Sequence, residues 1–249
     1  MKRLAVASLA LFLLGTIGTV NAQTVDKILA NYFENTGGLD NWKKVNSMKK
    51  TGKMTMQGME LSSEMITKKP NKSYMKIDFA GKTIVNAFDG ESGWNINPFN
   101  GGATAQKSTE EEIKEQKEEK FESDFIDYKK KGHAIVLEGK EEVEGTECFK
   151  LKLTKKNGDI EFHYFDTENY VPIMTSTTIK DGPMEGKLVQ SFFSDYQEAG
   201  DLIIPYFRED KLDGVSGMKM TIEKIEINPK VDDSIFAMPE EDTTTGGSK

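Results

Sequence analysis

The chain has one cysteine, two histidines and, beyond its third residue, a single arginine. Cys148 standing alone excludes an internal disulfide framework. It lies beside the alternating Phe149, Leu151 and Leu153 and reads as an inert strand thiol. His133 and His163 fall in separate strand patterns, with no His-Glu-x-x-His or Gly-x-Ser-x-Gly setting around them. His163 has the parity opposite to Phe162 and Tyr164 and is expected to face solvent. Asp232-Asp233 and Asp242 lack the Asp-x-Asp-x-Asp-Gly loop of a calcium site and read as solvated surface. No catalytic residue, metal ligand or cofactor is expected, and the chain does not read as an enzyme. Apart from Arg3, Arg208 is the only arginine, which disfavours bidentate phosphate recognition.

Long apolar runs are missing too, except at the start. Lys2 and Arg3 precede the apolar stretch 4–14, and Val20-Asn21-Ala22 offers small residues where a signal peptidase cuts. The run is short for a membrane span, and no cysteine near the cut invites lipidation. Residues 1–22 therefore read as a cleaved secretory signal peptide, leaving a soluble periplasmic chain from about Gln23. Of the 33 basic residues, Lys2 and Arg3 leave with the signal peptide, so 31 face 41 acidic ones, a net charge of about −10. Nucleic acid and anionic lipid surfaces are poor electrostatic partners for such a chain. The remaining 227 or so residues suit one large all-β domain with a sizeable core.

What is present is mostly strand pattern. Thr24 can cap a helix carrying Val25, Ile28, Leu29, Tyr32 and Phe33 on one face, ended by Gly37-Gly38. Asp40 can open a further turn that buries Leu39, Trp42 and Val45. Period-two alternation follows at Met54 and Met56, at Met59, Leu61 and Met65, at Met75, Ile77 and Phe79, and at Thr83, Val85 and Ala87. Asp89-Gly90 signals a hairpin. Strands resume at His133–Glu138, Cys148–Thr154, Ile160–Tyr164, Ile173–Ile179, Lys187–Phe193 and Leu202–Phe207. Asn157-Gly158 signals a type I′ hairpin, and Pro205 an edge or bulge. Met218, Met220 and Ile222 share one parity, Ile225 and Ile227 the other, which predicts a β-bulge. The count is ten or eleven strands, enough for a strongly curved sheet. Between them, TEEEIKEQKEEKFESDF reads as a charged surface helix ending in Phe121 and Phe125, either simply solvated or a mobile lid. The end of the chain, 240–249, reads as a disordered tail.

Six of the twelve methionines, Met48, Met54, Met56, Met59, Met65 and Met75, fall within one short stretch. Such a cluster is either an ordinary core or a polarizable surface for apolar ligands of variable shape.

The stretch from Lys68 to Phe99 carries a resemblance. Lys68-Lys69-Pro70-Asn71, Asp89-Gly90, Trp94 and Asn97-Pro98-Phe99 stand in the order found in the periplasmic lipoprotein carriers of the LolA family. The likeness extends more loosely from the Val25 helix to Asp232-Asp233-Ser234-Ile235-Phe236. It implies a mainly β fold, an open, strongly curved antiparallel half-barrel of about eleven strands covered by short α-helices, spanning residues 23–239. The implied cargo is an acylated lipoprotein or lipid. It would be received from an inner-membrane releasing transporter and passed to an outer-membrane acceptor by a carrier acting as a monomer. At about 0.8 kcal/mol per methylene, ~12 buried carbons supply on the order of ten kcal/mol. Parity and resemblance together nominate Met54, Met56, Met65, Met75, Ile77, Val85, Trp94, Phe99, Phe162 and Tyr164 as ligand contacts. Leu29, Tyr32, Phe33, Ile113, Phe121 and Lys69 are nominated for the lid. Lys69 stands where the family has an arginine that ties the lid, and lysine lacks the planar fork, so a different latch is expected. The alternative function is a periplasmic lipid or lipoprotein sensor using the same half-barrel; a plain scaffold with a filled interior is a third reading.

Overall fold

The computed structural model describes residues 23–100 and 102–240; the expected signal peptide, and the expected tail from residue 241, lie outside them. Helix α1 (Val25–Asn35) and the short α2 (Leu39–Lys44) come first. Six strands follow: β1 (Ser47–Met56), β2 (Met59–Lys68), β3 (Lys72–Phe79), β4 (Lys82–Phe88), β5 (Gly93–Asn97) and β6 (Gly102–Lys107). Helix α3 (Glu110–Glu118) and an irregular strap, residues 119–133, lead to β7 (Ala134–Val143), β8 (Thr146–Thr154) and β9 (Ile160–Asp166). The chain closes with β10 (Pro172–Thr178), β11 (Leu188–Ala199), β12 (Leu202–Leu212), β13 (Val215–Ile227) and a 3-10 turn at Asp233–Ile235.

All thirteen strands form one antiparallel sheet ordered β6-β5-β4-β3-β2-β1-β13-β12-β11-β10-β9-β8-β7. β6 and β7 are its two ends, so the sheet is open and antiparallel and the fold mainly β, as expected. The strand number is thirteen rather than eleven. β6, of sequence GATAQK, has almost no apolar alternation by which to be found.

One sequence signal is met in detail and another, the edge or bulge at Pro205, only in that one side of β12 is unpaired there, since β12 itself lies inside the sheet. The phase change in β13 is a bulge, because Thr51 pairs with Lys224 while Gly52 pairs with Ile222. At Gly52 a Cβ would stand 2.2 Å from the Thr221 carbonyl oxygen and 2.8 Å from the Ile222 Cα, so only glycine fits against the bulged strand. Gly52→Ala is expected to cost about 3 kcal/mol, read as a lower urea midpoint, because neither contact is a movable side chain. A loss within the ordinary surface range of ~0.5 kcal/mol would show that β13 yields freely. Pro205 lies in β12 beyond the stretch paired with β13, which begins at Phe207, so its missing N–H breaks no ladder bond there.

The Asn157-Gly158 turn departs from expectation. Gly158 alone has positive φ, its N–H bonds to the Lys155 carbonyl, and the Lys155 N–H bonds to the Asp159 carbonyl. This is a three-residue loop with a left-handed glycine, not a type I′ turn.

The register separates two faces. Met48, Met54 and Met56 of β1 align with Ile227, Met220 and Met218 of β13. Across β2 the same face carries Leu61 and Met65, then Met75 and Ile77 of β3. Val45, Trp42 and Phe121 pack on this inner face, which therefore bears the helices. Toward the other end α1 buries Ile28, Leu29, Tyr32 and Phe33 against Phe149 and Leu151 of β8 and Phe165 of β9.

Candidate functional site

The inner face is apolar at both flanks and polar between them. Met48, Met54, Met56, Met59, Met65, Met75, Met218 and Met220 share it, so eight of the twelve methionines line one surface. Met54 and Ile77 are buried in the inner cluster, and Met65 and Met75 are half-buried. Met56 and Met59 form one cross-strand row with Met218 at the rim, where they remain 40% and 43% exposed. Phe99 is exposed at the β5–β6 turn, its ring 5.5 Å from Phe79, which belongs to the inner cluster.

The structure does not bring the other four nominated contacts to this surface. Val85 and Trp94 point to the outer face, with Tyr74 and Ile96, and are covered by the end of the chain. Trp94 Nε1 donates to the Phe236 carbonyl at 2.9 Å, so this tryptophan docks the C-terminal segment. Phe162 and Tyr164 also lie outside, with Cys148, Met174 and Val143, under the Lys150 stem. His163 correspondingly faces inward and is buried, its ring 4.8 Å from Phe125. Parity was right within each strand and wrong about the side, because outer apolar residues here are shielded by distant chain and lysine stems rather than by a second sheet. On that outer side the Cys148 thiol is fully buried and pushed up to about 11, by burial first and then by Asp166, Glu141 and Glu147.

The covering elements are held chiefly at one corner. Lys69 Nζ donates to the Lys43 carbonyl in α2 at 3.0 Å and lies 3.7 Å from Glu122 in the strap. Asn71 Nδ2 donates to the Gln116 carbonyl of α3 at 3.0 Å. Lys68 and Lys72 pair with Asp233 of the C-terminal segment at 2.6 and 2.9 Å. The Lys68–Lys72 corner thus grips α2, the strap, α3 and the chain end. Of the nominated lid residues, Leu29, Tyr32 and Phe33 are buried in α1, and Phe121 packs on the methionine cluster. Ile113 joins none of the apolar clusters and is only half-buried on α3, which rests on β4 through a Gln116–Asn86 bond of 3.0 Å.

A second tie, not anticipated from the sequence, joins the strap to β8–β9. Asp124 takes His133 at 3.3 Å and Lys155 at 3.1 Å, and Lys155 also reaches Glu161 at 2.7 Å. His163 meets Glu161 at 3.2 Å. The two histidines therefore end one ion chain; only the fold brings His133 and His163 together. Burial raises the Glu161 carboxyl, but the bonds from His163 and Lys155 outweigh it and hold it at about 2, below its ordinary 4.5. A depressed carboxylate stabilises fully above about pH 4.5 and loses that contribution as pH falls toward about 2. Glu161→Gln is expected to destabilise by on the order of 2 kcal/mol at pH 7, after discounting for partial exposure, with the gap narrowed to about half or less at pH 3. Urea midpoints at both pH values decide this; an equal gap at both would contradict it.

Beneath the strap lies a cavity of about 300 Å³ lined by Trp42, Val45, Met48, Lys50, Phe121 and Ile126, with the strap's polar groups at its mouth. The strap separates it from a wider cleft of about 710 Å³ at Pro70, Lys117, Lys131 and Lys155. Lys50 is half-buried by surface yet surrounded by protein, and its amine is pushed down by burial first and by the Arg208 charge second. Among the described residues no three His, Cys, Asp or Glu side chains converge as a metal site. None of their helices is long and apolar enough to cross a membrane.

No protein-family model matches the sequence, and a search of curated proteins finds no match. Solved structures do match in shape. A DUF1329-family protein from Desulfovibrio piger aligns with TM-score 0.59 at 12% identity, covering 87% of this chain and 98% of that one. A LolA-superfamily protein from Nitrosomonas europaea aligns at 0.54 and 12%, with the same coverages. A candidate outer membrane lipoprotein-sorting protein domain from Vibrio parahaemolyticus aligns at 0.52 and 11%, covering 84% and 94%. At these identities the likeness establishes the fold, and the chain has the LolA-like one.

Proposed function

We propose that this protein is a non-catalytic periplasmic carrier that shields the acyl chains of a lipoprotein on the inner face of its open sheet. The observation that carries the reading is the methionine surface: it is continuous from the covered Met54 to the half-buried Met218 and the exposed Met56 and Met59 at the rim. A filled scaffold has no need of soft, adaptable side chains running out to solvent, whereas acyl chains of varied length do. At about 300 Å³ the cavity is at the lower end for a ligand site. Cargo therefore enters by displacing the strap, whose ties are ion pairs to Lys43, Lys69, Asp26 and Lys155 and the Phe121, Phe125 and Ile126 contacts. Release from an inner-membrane transporter and delivery to an outer-membrane acceptor complete the proposed route. The test is titration of the purified protein with a fluorescent diacyl lipopeptide and with its deacylated peptide. Saturable binding of the first alone supports the carrier; binding of neither overturns it.

A further inference from the structure

One cation in the cavity has no partner. Lys50 lies on β1 between Met65 and Ile225 of the flanking strands, on the inner face. Its neighbours Lys49 and Lys53 pair with Glu64 and Glu60, each at 2.7 Å, on the opposite face. The two carboxylates lining the same cavity are already engaged: Glu122 with Lys69 and Lys131, Asp124 with His133 and Lys155. Arg208, whose charge also acts on Lys50, is another cation, and its own guanidinium is taken by Asp210 and Ser191. Among the described residues the Lys50 ammonium thus meets no anion and no hydrogen-bond acceptor. An ammonium held partly out of water with a second cation acting on it favours the arrival of a counter-charge.

The track leading from it is apolar. From Lys50 the inner face of β1 runs past Met54 to Met56 at the rim, roughly 20 Å at about 3.3 Å per residue. A cation at the covered end and a methionine lane to the open end match a molecule with an anionic head and an aliphatic tail. Resting on the carrier reading above, we propose that Lys50 is a head-group subsite, and that the bound amphiphile carries a carboxylate or phosphate beside its acyl chain. The chain's overall negative charge governs long-range attraction to surfaces, not one ammonium lining a cavity.

The experiment is displacement of an apolar fluorescent dye from the purified full chain by dodecanoate, dodecyl phosphate and methyl dodecanoate. At least one anion is expected to bind about tenfold or more tightly than the ester, as a charge-assisted bond would give. Lys50→Met should bring that ratio to about one, Lys50→Arg should keep it, and Lys49→Met, on the outer face, should leave it unchanged. Preference for dodecanoate assigns the subsite to a carboxylate, and preference for dodecyl phosphate to a phosphate. The same ratio in the wild-type protein and Lys50→Met overturns the subsite. Ester and anion binding equally to wild type overturns it too, while leaving the acyl-chain reading intact. No displacement by any of the three overturns both.

Discussion

Met75→Asp abolishes lipopeptide binding, with Kd raised about a hundredfold or more. Met75 is half-buried on the inner face opposite Met65, next to the cluster formed by Met54, Leu61 and Ile77. An ionised carboxylate there must be stripped of water to admit an acyl chain, a cost of several kcal/mol at ~1.4 kcal/mol per tenfold in affinity. The paired control is Trp94→Phe. It removes the bond to the Phe236 carbonyl on the outer face, so it costs about 1 kcal/mol of stability and leaves affinity intact. Titration of both variants with the fluorescent lipopeptide decides it, and an affinity loss confined to Trp94→Phe would reverse the assignment of the two faces.

Phe125→Ala is the largest single loss expected in the covering elements, about 3–5 kcal/mol. Phe125 is buried between His163, Phe165 and Tyr32, with ring centroids at 4.8, 5.5 and 6.1 Å. It is where the strap touches both α1 and β9, so its removal empties the junction of three elements at once. Hydrogen exchange is expected to rise in residues 119–133 well before the β1–β2 core opens. Uniform protection loss across the sheet would mean the strap is an integral part of the core and not a separable cover.

The sequence carried much of this architecture because its local signals agreed with one another. Thr24, the α1 stripe and Gly37-Gly38 mark one helix, and the α1 N-cap and buried residues follow that reading. The parity break in β13 coincides with the bulge between Ile222 and Lys224. The Lys68–Asn71 corner was legible as a motif, and its polar groups do tie the covering elements, with Lys69 using a carbonyl and Glu122 in place of a planar fork. What parity could not supply was sidedness. Val85, Trp94, Phe162 and Tyr164 alternate just as Met54 and Ile77 do, but their cover comes from Phe236 and Met238, far away in sequence, and from Lys150 on the neighbouring strand. The Asp124–Lys155–Glu161 chain was invisible for the same reason, since its members come from the strap and two strands. Lys50 was hidden for another: a lysine within a Lys-rich strand reads as solvated until its neighbours are seen to be paired away from it.

The central claim is that acyl chains lie on the methionine face. A lipopeptide bearing a photoactivatable diazirine in its acyl chain, irradiated when bound and mapped by peptide mass spectrometry, tests it most directly. The account predicts adducts on Met54, Met65, Met75 and the Met56–Met59–Met218 rim. Adducts concentrated on Val85, Trp94, Phe162 or Tyr164 would place the cargo on the outer face and contradict it.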